Sequence, residues 1–388
     1  MSGRGLGKAF RCCDCTVRRS SRGISIQRRN FTNSSSWQRH GEDSPSPYHI
    51  RGAKSATGAV PAFTETSSPE LNALLSEARL KIMLPSHLSR QHKSLIYRQK
   101  YEKELSTEPV IATIAEEDFQ LQHIDAKIDV PNSKKTLQKA MTLMKDKKDW
   151  ANLPNLLEGL NVAGMNTNTE RVKGSVVTQC RLAGRQEVLL ECLRRVKDTG
   201  MQLKEPRFVV RVMLAMQSRA FSTDFHEHET AKALKWAEMV VALMENPEHA
   251  GSRVLAGEND PRLQPEVIGI LLELAAVRAV KHLESRDVDG KVAEYGARLV
   301  EKRLEFKTPA EETGYELNQW LIAHAQVLHG IYEALKVLES SSAVAEGLQK
   351  KGEVLDAMVS TYYEKLASIA SKKQKQLIGL QMYEKLLG

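Results

Sequence analysis

Several things are scarce in this chain, and each absence narrows what it can be. Aromatic residues make up 5% of the sequence against 41% hydrophobic residues overall, so aliphatic side chains must fill most of any core. No run of about eighteen uncharged apolar residues occurs. The most apolar stretch, residues 265–283, is interrupted by Glu266, Glu273, Arg278 and Lys281, which argues against a membrane span there. Of the five cysteines, Cys12, Cys13 and Cys15 cluster without a partner pair at zinc-finger distance. Cys180 and Cys192 fall on apolar helix faces and read as buried thiols in a reducing compartment.

Catalytic signatures are also missing. There is no phosphate-binding GxxxxGKS or GxxxxGKT loop, no dinucleotide GxGxxG, no GxSxG elbow and no HExxH pair. The His226-Glu227-His228-Glu229 run has its histidines two apart instead of four, which is the wrong spacing for one face of a helix. The acidic stretch 116–125 has a lone His123 and no helical spacing, so it reads as an extended connector rather than a metal site. No enzyme, cofactor or metal is expected.

Acidic residues are nearly absent at the start. Residues 1–40 hold nine Lys and Arg against Asp14 alone, with many serines between them. A cationic, Ser-rich, acid-poor segment is what import into a negatively charged mitochondrial matrix requires. Arg29, Phe31 and Ser34 suit processing of such a presequence, placing its end near residue 38. The whole chain has 56 basic and 48 acidic residues; without residues 1–40 there remain 47 of each, so the basic isoelectric point belongs to the presequence. The expected location is the matrix, either free or peripheral to the inner membrane.

Residues 39–76 are rich in Ser, Pro, Gly and Thr and read as a disordered linker. Residues 77–132 read as an irregular connector with short helices, a basic helix-compatible stretch near 86–105 and a β-prone run at 109–114. From Ser133, a plausible N-cap, to residue 388 the pattern is helical. Two segments repeat at a displacement of 36 residues. Gly164-Met165 recurs as Gly200-Met201, and Trp150, Leu153, Leu157 and Leu160 fall opposite Gln186, Leu189, Leu193 and Val196. A third hairpin is expected with helices over 206–216 and 231–244 and a long polar turn between them, followed by a buried helix from Pro265 and longer helices to the end. Hairpins that cannot bury their faces alone must stack, so the expected architecture is an all-α solenoid over 133–388, clearest at 134–204. His324 reads as a core or rim histidine.

Residues 170–204 resemble a pentatricopeptide repeat, with Ala183-Gly184-Arg185 at the turn, Leu189, Leu190, Leu193 and Val196 facing inward, and Gly200 sixteen residues after Gly184. Residues 134–168 resemble a weaker copy, with Lys148 where the turn glycine would be. The resemblance implies a groove reading single-stranded RNA through Gln138 with Asn168 and Gly174 with Lys204. Gly174 has no side chain with which to read a base. Residues 131–219 hold seventeen Lys and Arg against eight acids, and Lys134, Lys135, Lys139, Lys173, Arg181, Arg207 and Arg211 are expected on or near first helices, where they would neutralise phosphates. The expected function is mitochondrial gene expression through binding of mRNA or rRNA. A scaffold or assembly factor for a respiratory complex and a subunit of the mitochondrial ribosome are the alternatives.

Overall fold

The computed structural model describes residues 58–250, 260–301, 304–373 and 377–388, all within a unit spanning Pro47–Gly388. The presequence residues Arg29, Phe31 and Ser34 lie outside the described residues.

The described chain is mostly helical. It opens with an extended strap, residues 58–68, followed by α1 (Pro69–Ala78), which runs through a π-helical turn (Arg79–Met83) into α2 (Leu84–His87). Helices α3 (Arg90–Tyr97) and α4 (Glu102–Thr107) lead to an antiparallel hairpin, β1 (Ile111–Ile114) and β2 (Glu117–Gln120), in which Ile111 pairs with Gln120 and Ile114 with Glu117. The β-prone run therefore does form a strand, and Phe119 and Leu121 anchor this region in the core.

The strap corrects the expectation of a disordered linker through residue 76. Val60 is buried, and Thr64 donates its backbone N–H to Asn152 Oδ1 at 2.8 Å. Ser67 donates to Asp149 through its backbone N–H at 2.8 Å and its hydroxyl at 2.7 Å. The composition is poor in apolar side chains, but polar groups eighty residues away hold the backbone instead. Asp149 also accepts from the backbone N–H groups of Lys145 and Asp146, each at 3.0 Å. Burial alone would raise its pKa, but the hydrogen bonds from Ser67, Asp146 and Lys145 prevail and hold it at about 2.

The first hairpin is α5 (Ser133–Leu143), α6 (Lys147–Trp150) and α7 (Leu153–Val162); the second is α8 (Glu170–Leu182), α9 (Gln186–Arg194) and α10 (Val196–Thr199). Asn132 rather than Ser133 caps α5, its side chain accepting the N–H groups of Lys134 and Lys135 at 3.1 Å each. The 36-residue displacement is a packing register. Trp150, Leu153, Leu157 and Leu160 are buried, and so are Gln186, Leu189, Leu193 and Val196. Gly164 and Gly200 both end their hairpins with positive φ, 91° and 71°, a conformation that suits glycine. Asn161 Nδ2 donates to the Asp198 carbonyl at 2.9 Å, tying one hairpin to the next.

The third hairpin departs from expectation. Helix α11 (Pro206–Ser222) extends past residue 216, and α12 (Glu227–Leu243) starts earlier than predicted, leaving a short turn. Phe225 in that turn is buried and Ala220 is fully covered, so apolar residues within the segment read as a polar turn are packed into the core. The short α13 (Pro247–Ala250) follows, then α14 (Pro265–His282), α15 (Lys291–Val300), α16 (Gly314–Leu335), α17 (Ala343–Lys373) and α18 (Ile378–Leu386).

The repeat ends there. Helix α14 packs against α11, α12, α15 and α16, and α16 packs in turn on α17 and α18. Thus α14 is covered on nearly every side, including Glu273, as its mostly apolar pattern predicts. Its close approach to α16 requires Gly330, where a Cβ would sit 2.8 Å from Glu273 backbone atoms. Cys180 and Cys192 are fully buried free thiols, the latter pushed up to about 12 by burial.

Candidate interaction groove

The first helices of the three hairpins, α5, α8 and α11, form one wall of a groove whose other wall is α16 and the start of α18. It encloses about 770 Å³. Gln138, Gly174, Arg181 and Arg211 all line it, so the structure brings together four of the positions expected from the sequence. Arg171, Gln217, Tyr315, Gln319 and Gln326 line it as well. Sequence reasoning missed these five; the four outside α8 lie on later helices, and no local pattern announces that α16 folds back over α8 and α11.

The remaining expected positions do other things. Lys173 is fully buried, its Nζ 3.1 Å from Glu205 and 4.4 Å from the Phe208 ring centroid. Burial lowers its pKa, and Glu205 opposes that shift. Lys173 is therefore corrected from a phosphate contact to an internal ion pair. Asn168 donates to Gln202 Oε1 at 2.9 Å, joining adjacent hairpins instead of facing a base. Lys139 pairs with Glu70 at 2.9 Å and Arg207 with Glu316 at 3.6 Å. Lys134 and Lys135 are exposed at the start of α5, and Lys204 is half-buried.

Gly174 also has a purpose that differs from base reading. A Cβ there would collide with Arg211 Nη1, so the missing side chain seats a guanidinium from α11 against α8. Deeper in, Gln217 Nε2 donates to Glu273 Oε2 at 2.9 Å, and His329 Nδ1 lies 2.9 Å from Glu273 Oε1. Burial raises the Glu273 pKa, while the contacts with His329 and Gln217 pull it down.

Nothing in the described residues assembles a metal cluster. Glu229 of the His-Glu-His-Glu run bonds Arg219 Nε at 2.5 Å, and His324 is a core residue stacked on Trp320 at 3.9 Å between ring centroids. No described helix is long and apolar enough to cross a membrane.

Stacked hairpins, a groove of mixed apolar and basic lining and extensive internal pairing define a helical scaffold. The family model for mitochondrial ribosomal protein mS27 matches residues 51–385, and the chain belongs to that family of structural, non-enzymatic proteins. Small ribosomal subunit protein mS27 of Neurospora crassa is 30% identical over 262 residues, an alignment covering 64% of this chain and 66% of that protein, just under two thirds of its length. This membership corrects the resemblance to pentatricopeptide-repeat proteins. The shared 36-residue register reflects how two short hairpins stack, and it stops where α14 and α16 become central. The expectation of base-by-base reading falls with that resemblance, and the match lends no support to a respiratory-complex assembly factor.

Proposed function

We propose that this chain is a structural component of the small subunit of the mitochondrial ribosome, acting in the matrix by contacting rRNA and neighbouring ribosomal proteins. The carrying observation is the family match across residues 51–385, which takes in the strap, the hairpins and the C-terminal helices together.

The surface offers a place for the rRNA contact. Lys134, Lys135, Lys139, Lys145, Lys147 and Lys148 are all exposed on the first hairpin, and of these only Lys139 has an ion pair among the described residues. Flexible ammonium groups on one exposed element suit phosphate neutralisation without sequence readout. Arg207 and Lys204 extend the basic surface at the start of α11.

Ultraviolet crosslinking of isolated mitochondrial small subunits tests this reading. RNA adducts are expected in the peptides spanning residues 134–148, and replacing these lysines by glutamine should weaken the protein's hold on the subunit while making its release less steeply dependent on salt. Adducts confined to other parts of the chain would contradict this placement.

A further inference from the structure

One face of α3 carries charge that nothing else in the described chain neutralises. Between Glu77 and Glu102 the sequence holds no acid. Arg79 and Lys81, at the start of that interval, pair with Glu117 and Glu77. Arg90, Lys93, Arg98 and Lys100 form no ion pair among the described residues, and all but the half-buried Lys93 are exposed. His92 and Ile96 are buried, and the Ile124 N–H donates to the Ile96 carbonyl at 2.8 Å, which fixes the inner side of the helix. At about 100° per residue, Arg90, Lys93 and Tyr97, in positions i, i+3 and i+7, fall together on the other side.

An aromatic ring lies among these cations. Tyr97, the last residue of α3, is 37% exposed. The chain then passes through Arg98, in extended backbone, into a 3₁₀ turn (Gln99–Tyr101), where Lys100 Nζ stands 4.4 Å from the Tyr101 ring centroid. Aliphatic side chains are withheld from this surface: Leu88, Ile96 and Leu105 are buried and Leu95 is half-buried. We propose that α3 and the turn after it hold an unpaired stretch of rRNA, with Arg90, Lys93, Arg98 and Lys100 on its phosphates and a base stacked on Tyr97. This contact presupposes membership of the small subunit, and it adds to the lysines of the first hairpin a place that takes hold of a base.

The other polyanion that could meet these cations is an acidic protein surface, and the patch suits it less well. A protein contact needs an apolar centre that packs dry, whereas the exposed positions from Arg90 to Lys103 are Arg, Gln, Tyr, Lys and one Glu. A ribose-phosphate strand needs no such centre, because cations meet its phosphates and a ring meets a base. A base inside a duplex has both faces covered by its neighbours, so the base on Tyr97 must come from a loop or junction. Glu102 and Glu104, at the start of α4, mark where the patch ends.

The experiment is ultraviolet crosslinking with mass spectrometry on isolated mitochondrial small subunits, where zero-length coupling to a base reports a stacked ring. RNA adducts are expected at Tyr97, in addition to those at 134–148. Tyr97→Leu should cut the yield at this peptide about fivefold, equivalent to about 1 kcal/mol of stacking, while Tyr97→Phe keeps it. Adducts at 134–148 should be unchanged in both variants, which also shows that each folds and assembles. A carbodiimide, which couples amines to carboxylates, is applied in parallel. The proposal is overturned by a lack of RNA adducts within 90–101, by a yield that Tyr97→Leu leaves unchanged, or by carbodiimide coupling of Lys93 or Lys100 to a neighbouring protein. Each of these leaves the chain's membership intact, whereas a chain missing from the subunits removes that membership and this contact with it.

Discussion

Arg211 Nη1 occupies the space that a Cβ on residue 174 would need, so α8 carries glycine in mid-helix to receive a guanidinium from α11. Helical glycine ordinarily costs up to about 1 kcal/mol relative to alanine. The guanidinium is the flexible end of its side chain and can swing away. Gly174→Ala should therefore leave the melting temperature unchanged or raise it slightly, while displacing Arg211. A crystal structure of the variant with Arg211 unmoved would contradict this.

Asp149 joins the strap to the first hairpin. Its carboxyl titrates near 2 against an ordinary 3.8, so the stability it supplies is complete above about 3.8 and is lost as pH falls towards 2. Asp149→Ala leaves four donors without their acceptor and should destabilise by about 3 kcal/mol. Limited proteolysis should show residues 58–68 cut faster than in the parent; an unchanged cleavage pattern would refute the anchoring role.

His249 is fully buried and accepts the Leu203 N–H at Nδ1 over 3.2 Å. Burial lowers its pKa from 6.5 to about 4. The folded state thus favours the neutral ring, and stability should fall as pH drops from 6.5 towards 4, by up to about 3 kcal/mol from this group. His249→Asn retains an acceptor without titrating in that range. Urea titrations across the interval should show a flatter acid dependence for the variant.

Lys173 tests the reassignment from RNA contact to interior ion pair. Lys173→Met keeps an apolar stem against Phe208 and frees Glu205, whose side chain is 42% exposed and can reach water. Stability should change by no more than about 1 kcal/mol. Lys173→Glu should be far worse, because an unpaired carboxylate would then be buried beside that of Glu205. Comparable melting temperatures for the two variants would count against the buried pairing.

Local patterns made the elements readable. Helical spacing located α14 and α16, and Gly164 and Gly200 marked turns that require positive φ. Two other features were hidden because their partners are far away in sequence. Ser67 looks like linker until Asp149 is placed beside it, and Lys173 looks like a surface cation until Glu205 and Phe208 close over it. The groove was half legible: Gln138, Arg181 and Arg211 carried a polar and basic signal, whereas Gln217, Tyr315 and Gln326 join them only through the fold-back of α16. Helical periodicity reports which face is buried, not which helix buries it.

The most direct measurement is sedimentation of a mitochondrial lysate through a sucrose gradient, with the chain and small-subunit proteins quantified across the fractions. Membership of the small subunit predicts that the chain peaks with that subunit at a one-to-one ratio and moves with it when magnesium is withdrawn and the subunits separate. A chain found mainly at the top of the gradient, or at a small fraction of the subunit's abundance, would contradict the account.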